Sequence, residues 1–361
     1  MRQKTLETES RIETVLELAR WAPSGDNTQP WRFEIMDDTT FVLHGSDTRD
    51  WCVYDLEGRP SQIALGALIE NVVLVAADLG LKADIEHLAD SPESAPRFLV
   101  RLDPDQLGAP DPLAQWIPHR VTQRRALTTR PLTDEVKSQL ESAVGENYAI
   151  DWIEGSAGRW RMARLLFSSA KIRLTIPEAY QVHRRIIEWD ATESPDRIPD
   201  KAVGLDPLGL KLMRWAMQSW SRVDFLNRYL AGTLLPRVQL DLVPAMRCGA
   251  HFILRAHTPP TTLQDYVNAG RAMQRLWLQA TALGLQYQPE MTPLIFAWYA
   301  DRGIAFSGRE AAVQAASTIK EALPAGTAQH GVFMGRMGYG RGPRSRSIRL
   351  TVKQLLLNRN Q

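Results

Sequence analysis

Arg120, Thr122 and Arg124 stand at alternate positions in Ile117-Pro-His-Arg-Val-Thr-Gln-Arg-Arg125. In an extended segment, alternate side chains project to one side, so two guanidinium groups would flank a hydroxyl. Planar guanidinium forks make charge-assisted bonds, and such a set suits a phosphate or another polyanion. A second basic group, Pro343-Arg344-Ser345-Arg346, runs into Ile348 and Leu350 in the pattern of a short terminal strand. Its plain alternative is a solvated basic tail. Other chemistries lack their signatures: HExxH, GxSxG and GxxxxGK[ST] are all missing. The seven histidines are scattered singly, and Cys52 and Cys248 have no CxxC spacing, so neither a metal site nor a disulfide framework is expected. The glycines from Gly335 to Gly342 imitate a dinucleotide fingerprint, but without the strand, helix and later acidic residue that it requires.

The elements that must position these arginines are read from periodicity. Ser10 and Glu13 have capping-box spacing ahead of a helix over 10–22, with Ile12, Val15, Leu16 and Ala19 on one face. Pro23 stops it. The run Pro23-Ser24-Gly25-Asp26-Asn27-Thr28-Gln29-Pro30 has the turn chemistry of a loop built from exposed backbone groups. Strands are expected at 31–35, 41–43, 98–100 and 252–254. A helix over 61–79, apolar on nearly all sides, should lie buried between a sheet and a second helix. Its signature returns downstream at a constant offset of 204 residues: Gly66, Leu74, Ala76, Leu79, Gly80 and Leu81 match Gly270, Leu278, Ala280, Leu283, Gly284 and Leu285. An internal duplication would produce that match. Helices and strands do not alternate regularly, which favours an α+β fold, and residues 190–245 break the pattern as an insertion.

Bulk properties exclude several functions. The 361 residues carry 43 basic and 41 acidic side chains, intermixed, for a net charge of +2. No global field therefore draws nucleic acid or an anionic membrane, and any basic site is local. Nor do aromatic residues interleave with the arginines as a nucleic-acid stacking platform would require. Two isolated cysteines and a polar Met1 to Ser10 point to a reducing cytoplasm. Residues 63–81 have the length of a membrane span but include Glu70, Asn71 and Asp78, which are costly in hydrocarbon, so stable insertion is not expected. The Trp-rich stripe at 208–223 suits packing over the protein, or alternatively a membrane surface.

Ala22-Pro-Ser24-Gly25-Asp-Asn27-Thr-Gln29-Pro-Trp31-Arg-Phe33 resembles the loop of the nitroreductase superfamily, where a helix ends at Pro-Ser and Asn, then Gln-Pro-Trp, leads into a strand. Arg120-Val-Thr122-Gln-Arg124 resembles the segment that opens that fold, Pro343-Arg344-Ser345-Arg346 its C-terminal basic pair, and Gln288-Pro289-Glu290-Met291 the turn that aims a backbone amide at flavin N5. The motif order departs from the ordinary family, because the loop here precedes the arginine segment. In the family the flavin lies at a dimer interface, with the loop from one subunit and the arginines from the other. The departure resembles the fused Acg- and MoeY-type branch, in which two half-repeats form a pseudo-dimer within one chain. The halves would be 1–112 and 113–361, with 190–245 as an inserted lid. Residues 1–10 lack a second arginine segment, and Ser169-Ala-Lys-Ile-Arg-Leu-Thr-Ile-Pro177 stands in place of a second Gln-Pro-Trp loop.

The resemblance implies one FMN per chain. Arg120, Arg344 and Arg346 would neutralise its phosphate, Thr122 would bond the phosphate or ribityl chain, and Arg124 would stabilise charge at N1/O2. A backbone amide near Glu290 and Met291, after Pro289, would bond N5, while Ser24, Gly25 and Asn27 would close the site. The implied activity is FMN-dependent hydride transfer from NAD(P)H to a small electron-poor or conjugated substrate, with no side-chain nucleophile. The competing reading is a non-catalytic protein that binds or sequesters FMN beneath the lid. A fused pseudo-dimer needs no partner, so a monomer is the simplest state, with a homodimer left open.

Overall fold

The computed structural model describes residues 11–106 and 108–357 as an α+β fold built on two antiparallel sheets. Residues 1–10, including the expected cap Ser10, lie outside the described range. In the first sheet the spatial order is Trp31–Ile35, Thr40–Gly45, Arg97–Asp103, Lys82–His87. Phe33 opposes Leu43 and Ile35 opposes Phe41, while the intervening Arg32 and Glu34 stay partly exposed. This alternation presents one apolar face to the core. The Arg11–Ala19 helix buries Ile12, Val15, Leu16 and Ala19.

The second sheet is ordered Tyr148–Ile153, Ala250–Ala256, Gly331–Gly338, Gln286–Pro289. In chain sequence each sheet therefore has the order 1-2-4-3, and in each a 20-residue helix stands between the second and third strands. These helices, Arg59–Asp78 and Leu263–Ala282, hold the 204-residue offset at both ends. Each is followed by Leu-Gly-Leu, with Gly80 at φ 73° and Gly284 at φ 72°. That left-handed conformation is open to glycine without a Cβ penalty, and it turns each helix into its edge strand.

The long helices pack on each other along the same face. A Cβ on Gly66 would lie 1.9 Å from the Val267 carbonyl oxygen, and one on Gly270 would lie 2.0 Å from that of Ile63. Further along, Gln274 Nε2 donates to Asn71 Oδ1 at 2.7 Å and Arg275 donates to Glu70 at 2.9 Å. Subtracting 204 turns 267 into 63 and 270 into 66, and likewise 274 into 70 and 275 into 71. Residue i meets j′ and j meets i′, the relation that a two-fold axis imposes on a self-complementary contact. One hydrophobic core includes residues of both sheets and both helices. The Arg59–Asp78 helix is also long and apolar enough to cross a membrane, but nearly all of it is covered by protein.

Two expectations need correction. Residues 169–175 belong to the Gly155–Thr175 helix, because no Gly or Pro interrupts the chain between Gly158 and Pro177. By strand order, the counterpart of the 23–30 loop is the short turn at 145–147, ahead of Tyr148–Ile153. The Trp-rich stripe is two helices, Pro207–Ala216 and Trp220–Tyr229, because the Ser219 hydroxyl accepts from the Arg222 amide and starts a second helix. The C-terminal arm crosses the molecule. Arg346–Ser347 pairs in parallel with Glu193–Ser194, and Leu357 N–H donates to the Phe33 carbonyl at 2.8 Å.

Candidate functional site

Where the first sheet's loop, the second sheet's edge and the 203–241 segment meet, they enclose a cavity of about 520 Å³. Its volume and mostly apolar wall with a few convergent charges are those of a small-molecule site. The loop wall is conformationally tense: Asp26, Asn27 and Gln29 have φ of 52°, 63° and 49°. Three left-handed non-glycine residues in four positions persist only because surrounding structure holds them, a pattern associated with ligand clamps. The holding bonds are visible. Ser24 Oγ accepts from the Gln29 amide at 2.9 Å, and Gly25 C=O accepts from Thr28. Asn27 Nδ2 donates to the carbonyls of Ser194, Arg197 and Ile348, while Gln29 Oε1 accepts from the Leu350 amide at 2.9 Å. Asn27 is thus a clamp between the loop and the C-terminal arm. Its Oδ1 is buried and has no partner among the described residues. Gly25, by contrast, has open space on its Cβ side.

The arginine segment runs beside the second sheet's edge, with Thr122 bridged to Tyr287 and the Gln123 amide donating to the Tyr287 carbonyl at 2.9 Å. Extended backbone sends Arg120, Thr122 and Arg124 into the cavity wall together. Arg120 lies flat over Trp277, 4.3 Å from the ring centroid, and donates to the Trp21 carbonyl at 3.0 Å. Arg346 lies near it, over Trp21 at 5.0 Å from the ring centroid, donating to the Pro118 carbonyl at 3.1 Å; it is half-buried and stands outside the cavity lining, where the sequence places it inside. Arg344 is exposed and absent from the lining. The arm's alternation brings in Ser347 and Arg349 instead, and Arg349 Nε donates to the Ala22 carbonyl at 2.9 Å. The sequence carried a signal for this, since Ser347 and Arg349 alternate with the apolar Ile348 and Leu350.

The electrostatics of this corner are unbalanced. Burial, then Arg349 and Arg346, holds Arg120 well below the usual guanidinium range. Burial, then Arg346 and Arg20, pushes Arg349 down to about 9. Among the described residues no carboxylate acts on Arg120 or Arg349, Glu193 alone acts on Arg346, and Nε of both Arg120 and Arg346 is buried without a partner.

The 289–291 turn is held from behind. Glu290 is buried between His251 Nδ1 at 2.8 Å and Arg336 NH1 at 2.7 Å. Burial opposes charge on the pair, yet their attraction prevails, keeping the Glu290 carboxyl low and pushing His251 up to about 10. The Glu290 amide donates to the Met334 carbonyl at 2.9 Å, so it is already committed. Available N–H groups at this turn come instead from the first turn of the Thr292–Arg302 helix, which Met291 opens and which has no intrahelical acceptors for them. Pro289 pairs with Gly335 and fixes the approach.

Sequence reasoning passed over five cavity groups. Tyr54 Oη lies 3.1 Å from His183 Nε2, and burial, then Arg173, pushes the His183 imidazole down to about 3, leaving it neutral. Arg173 grips Asp241 with contacts of 2.9 and 2.7 Å. Asp26 lines the cavity near Arg124, and burial outweighs that arginine, raising its carboxyl to about 6. Since the folded value exceeds the ordinary 3.8, its stabilising contribution is complete below about pH 4 and is lost as pH rises through 6. Asp26→Asn, which tolerates the left-handed backbone, should therefore be more stable than the parent at pH 7.5 by up to about 3 kcal/mol. Urea denaturation at pH 7.5 and 4.5 checks this; an undiminished gap at 4.5 would assign the gain to something other than ionisation.

No family model matches the chain. It is 26% identical over 295 residues to an uncharacterised protein of Mycobacterium tuberculosis, covering 80% of this chain and 39% of that protein. Two further M. tuberculosis proteins are provisionally named NAD(P)H nitroreductases. One is 32% identical over 124 residues, covering 34% of this chain and 35% of its own length. The other, Acg, is 31% identical over 144 residues, covering 39% and 43%. Sequence similarity therefore ties a little over a third of this chain to proteins named as nitroreductases. The chain spans less than half the length of each of these relatives. Two solved structures also overlap it: a nitroreductase-like family protein from Bacillus cereus and a provisionally named nitroreductase from Anabaena variabilis. The first has TM-score 0.35 and 12% identity, covering 70% of this chain and 97% of the other. The second has TM-score 0.38 and 10% identity, covering 84% and 69%. At those scores they add nothing to the relationship that sequence establishes. In this chain, loop, arginine segment and C-terminal arm meet at one cavity although 321 residues separate Asn27 from Ile348.

Proposed function

We propose that the chain binds one FMN in this cavity and works as an oxidoreductase, taking hydride from NAD(P)H and delivering it to a small electron-poor or conjugated substrate. The observation that carries the reading is the corner where Arg120 and Arg349, both buried, meet the half-buried Arg346, with two unpartnered Nε groups and, among the described residues, no carboxylate acting on Arg120 or Arg349. Buried like charges are tolerated when a counter-ion joins them, and a phosphate monoester supplies both charge and acceptors.

The residues present fit FMN. Arg120, Arg346 and Arg349 would hold the phosphate, with Thr122 bonding it or the ribityl chain. Arg124 would face the polar edge of the ring, Ser24 and Gly25 would close the site from the loop, and the first turn of the Thr292–Arg302 helix, which follows Pro289 and Glu290 and which Met291 opens, would present backbone N–H groups. FMN supplies the hydride chemistry, while the chain binds, orients and excludes water. Asn27 and Glu290 contribute by fixing the loop and the turn. The reading also makes the chain a fused pseudo-dimer of halves 1–112 and 113–361, supported by the repeated strand order and the reciprocal helix contact, and functioning as a monomer. The alternative, FMN sequestration without turnover, draws support from the 203–241 segment, which puts Met213, Ala216 and Leu240 into the cavity wall like a lid.

An absorbance spectrum of the chain loaded with FMN, then given NADH or NADPH without oxygen, separates these. Bleaching that recovers in air is the expected result. A loaded protein that stays yellow with both donors would favour sequestration, and failure to take up FMN would end the proposal.

A further inference from the structure

The 208–243 segment holds nine of the fifteen large hydrophobic side chains exposed among the described residues. They include Leu208 at 74%, Trp215 at 43%, Phe225 at 51%, Tyr229 at 70% and Leu230 at 62% exposure. Leu208 and Trp215 are seven apart on the Pro207–Ala216 helix, so they share a face, and the Phe225 and Tyr229 rings pack 5.2 Å apart on the next helix. The adjoining face of the first helix, roughly a quarter-turn round, is also apolar, because Gly209, Met213 and Ala216 line the cavity. A helix that is apolar on two sides belongs between two apolar surroundings. The cavity is one.

Charge identifies the other. Residues 207–243 contain five basic side chains, Lys211, Arg214, Arg222, Arg228 and Arg237, against Asp224 and Asp241, a local excess of three although Arg214 pairs with Asp190 and Arg228 with Asp224, whereas the whole chain nets only +2. Exposed Trp, Phe and Leu rimmed by Lys and Arg is the composition of a helix pair lying in a lipid interface. A second copy of the chain would suit this face less well, since a two-fold contact would set the same basic rim against itself.

We propose that the 207–243 segment docks this protein on anionic lipid, with Trp215, Phe225 and Tyr229 entering the interface and the surrounding basic side chains meeting the headgroups. The inference is independent of the FMN reading, because it concerns the outer face of the segment. Docking here is peripheral, with the Arg59–Asp78 helix remaining in the core.

The test is co-sedimentation of the full chain with vesicles of phosphatidylcholine alone or mixed with phosphatidylglycerol. Binding is expected on the mixed vesicles, falling at least about tenfold without phosphatidylglycerol or in high salt. The Trp215→Ser/Phe225→Ser/Tyr229→Ser variant should lose about tenfold or more on the mixed vesicles, with its thermal unfolding unchanged because the three side chains are exposed. Should that variant unfold early, Leu208→Ser/Leu230→Ser provides the same comparison. No binding to mixed vesicles would overturn the proposal, as would salt-sensitive binding that both variants retain. Light scattering decides for a second copy instead if mass doubles with concentration and the apolar variants abolish the doubling.

Discussion

Arg349→Ala is expected to weaken FMN binding by about 3 kcal/mol, roughly a hundredfold, while Arg344→Ala leaves it within about twofold. Arg349 is buried in the cavity lining and surrounded by the positive charges of Arg120, Arg346 and Arg20, whereas Arg344 is exposed outside it. A guanidinium depressed to about 9 by burial and like charge gains most when an anion arrives. Removing it takes away one charge-assisted contact and leaves the phosphate incompletely paired, which is where most of the loss arises. Arg349 also ties the arm to the Ala22 carbonyl, so a loss of affinity alone could be structural. Riboflavin resolves this, since it presents the same ring and ribityl chain without phosphate. Flavin fluorescence titrations should show the hundredfold loss for FMN and little change for riboflavin. Equal losses for both would place Arg349 in the scaffold, and equal FMN affinity for the Arg344 and Arg349 variants would overturn this phosphate site.

These arginines also show what the sequence could convey. The Arg120, Thr122, Arg124 triplet was legible because its chemistry is local: a period of two on an extended segment decides which side the groups share. The 23–31 loop was legible because proline, glycine and asparagine declare turn geometry directly. Pro343-Arg344-Ser345-Arg346 points to Arg344 and not to Arg349 because a short basic motif looks complete by itself, whereas burial of the arm depends on its parallel pairing with Glu193–Ser194, about 150 residues away. The Tyr54–His183 and Arg173–Asp241 pairs left no local trace, since each joins separate elements. Asp26 was in plain view within the loop. Its raised carboxyl follows from enclosure by the cavity walls, a property of the assembled fold. The two-residue strands at 187–199 and 346–347 are too short to carry periodicity at all.

Gly66→Ala and Gly270→Ala are each expected to destabilise the protein by roughly 3–5 kcal/mol, a large effect for the addition of one methyl group. On an isolated helix the same change would be stabilising by about 1 kcal/mol, because alanine is the better helix former. The sign reverses here because the new Cβ would lie 1.9 Å from the Val267 oxygen in one case and 2.0 Å from the Ile63 oxygen in the other. Those are backbone atoms of a buried helix, so relief requires separating the helices and opening the core that both sheets share. Separation would also stretch the Gln274–Asn71 and Arg275–Glu70 bonds, leaving buried polar groups poorly paired. The two substitutions act on one crossing, and a shift that accommodates the first also makes room for the second. The double variant should therefore cost less than the sum of the singles, with a coupling of about 1–2 kcal/mol. Urea denaturation of the four proteins measures this. Singles near neutral would mean that the helices do not approach so closely. Additive losses would mean that the two glycines serve separate contacts, removing the reciprocal packing on which the two-fold relation between the halves rests.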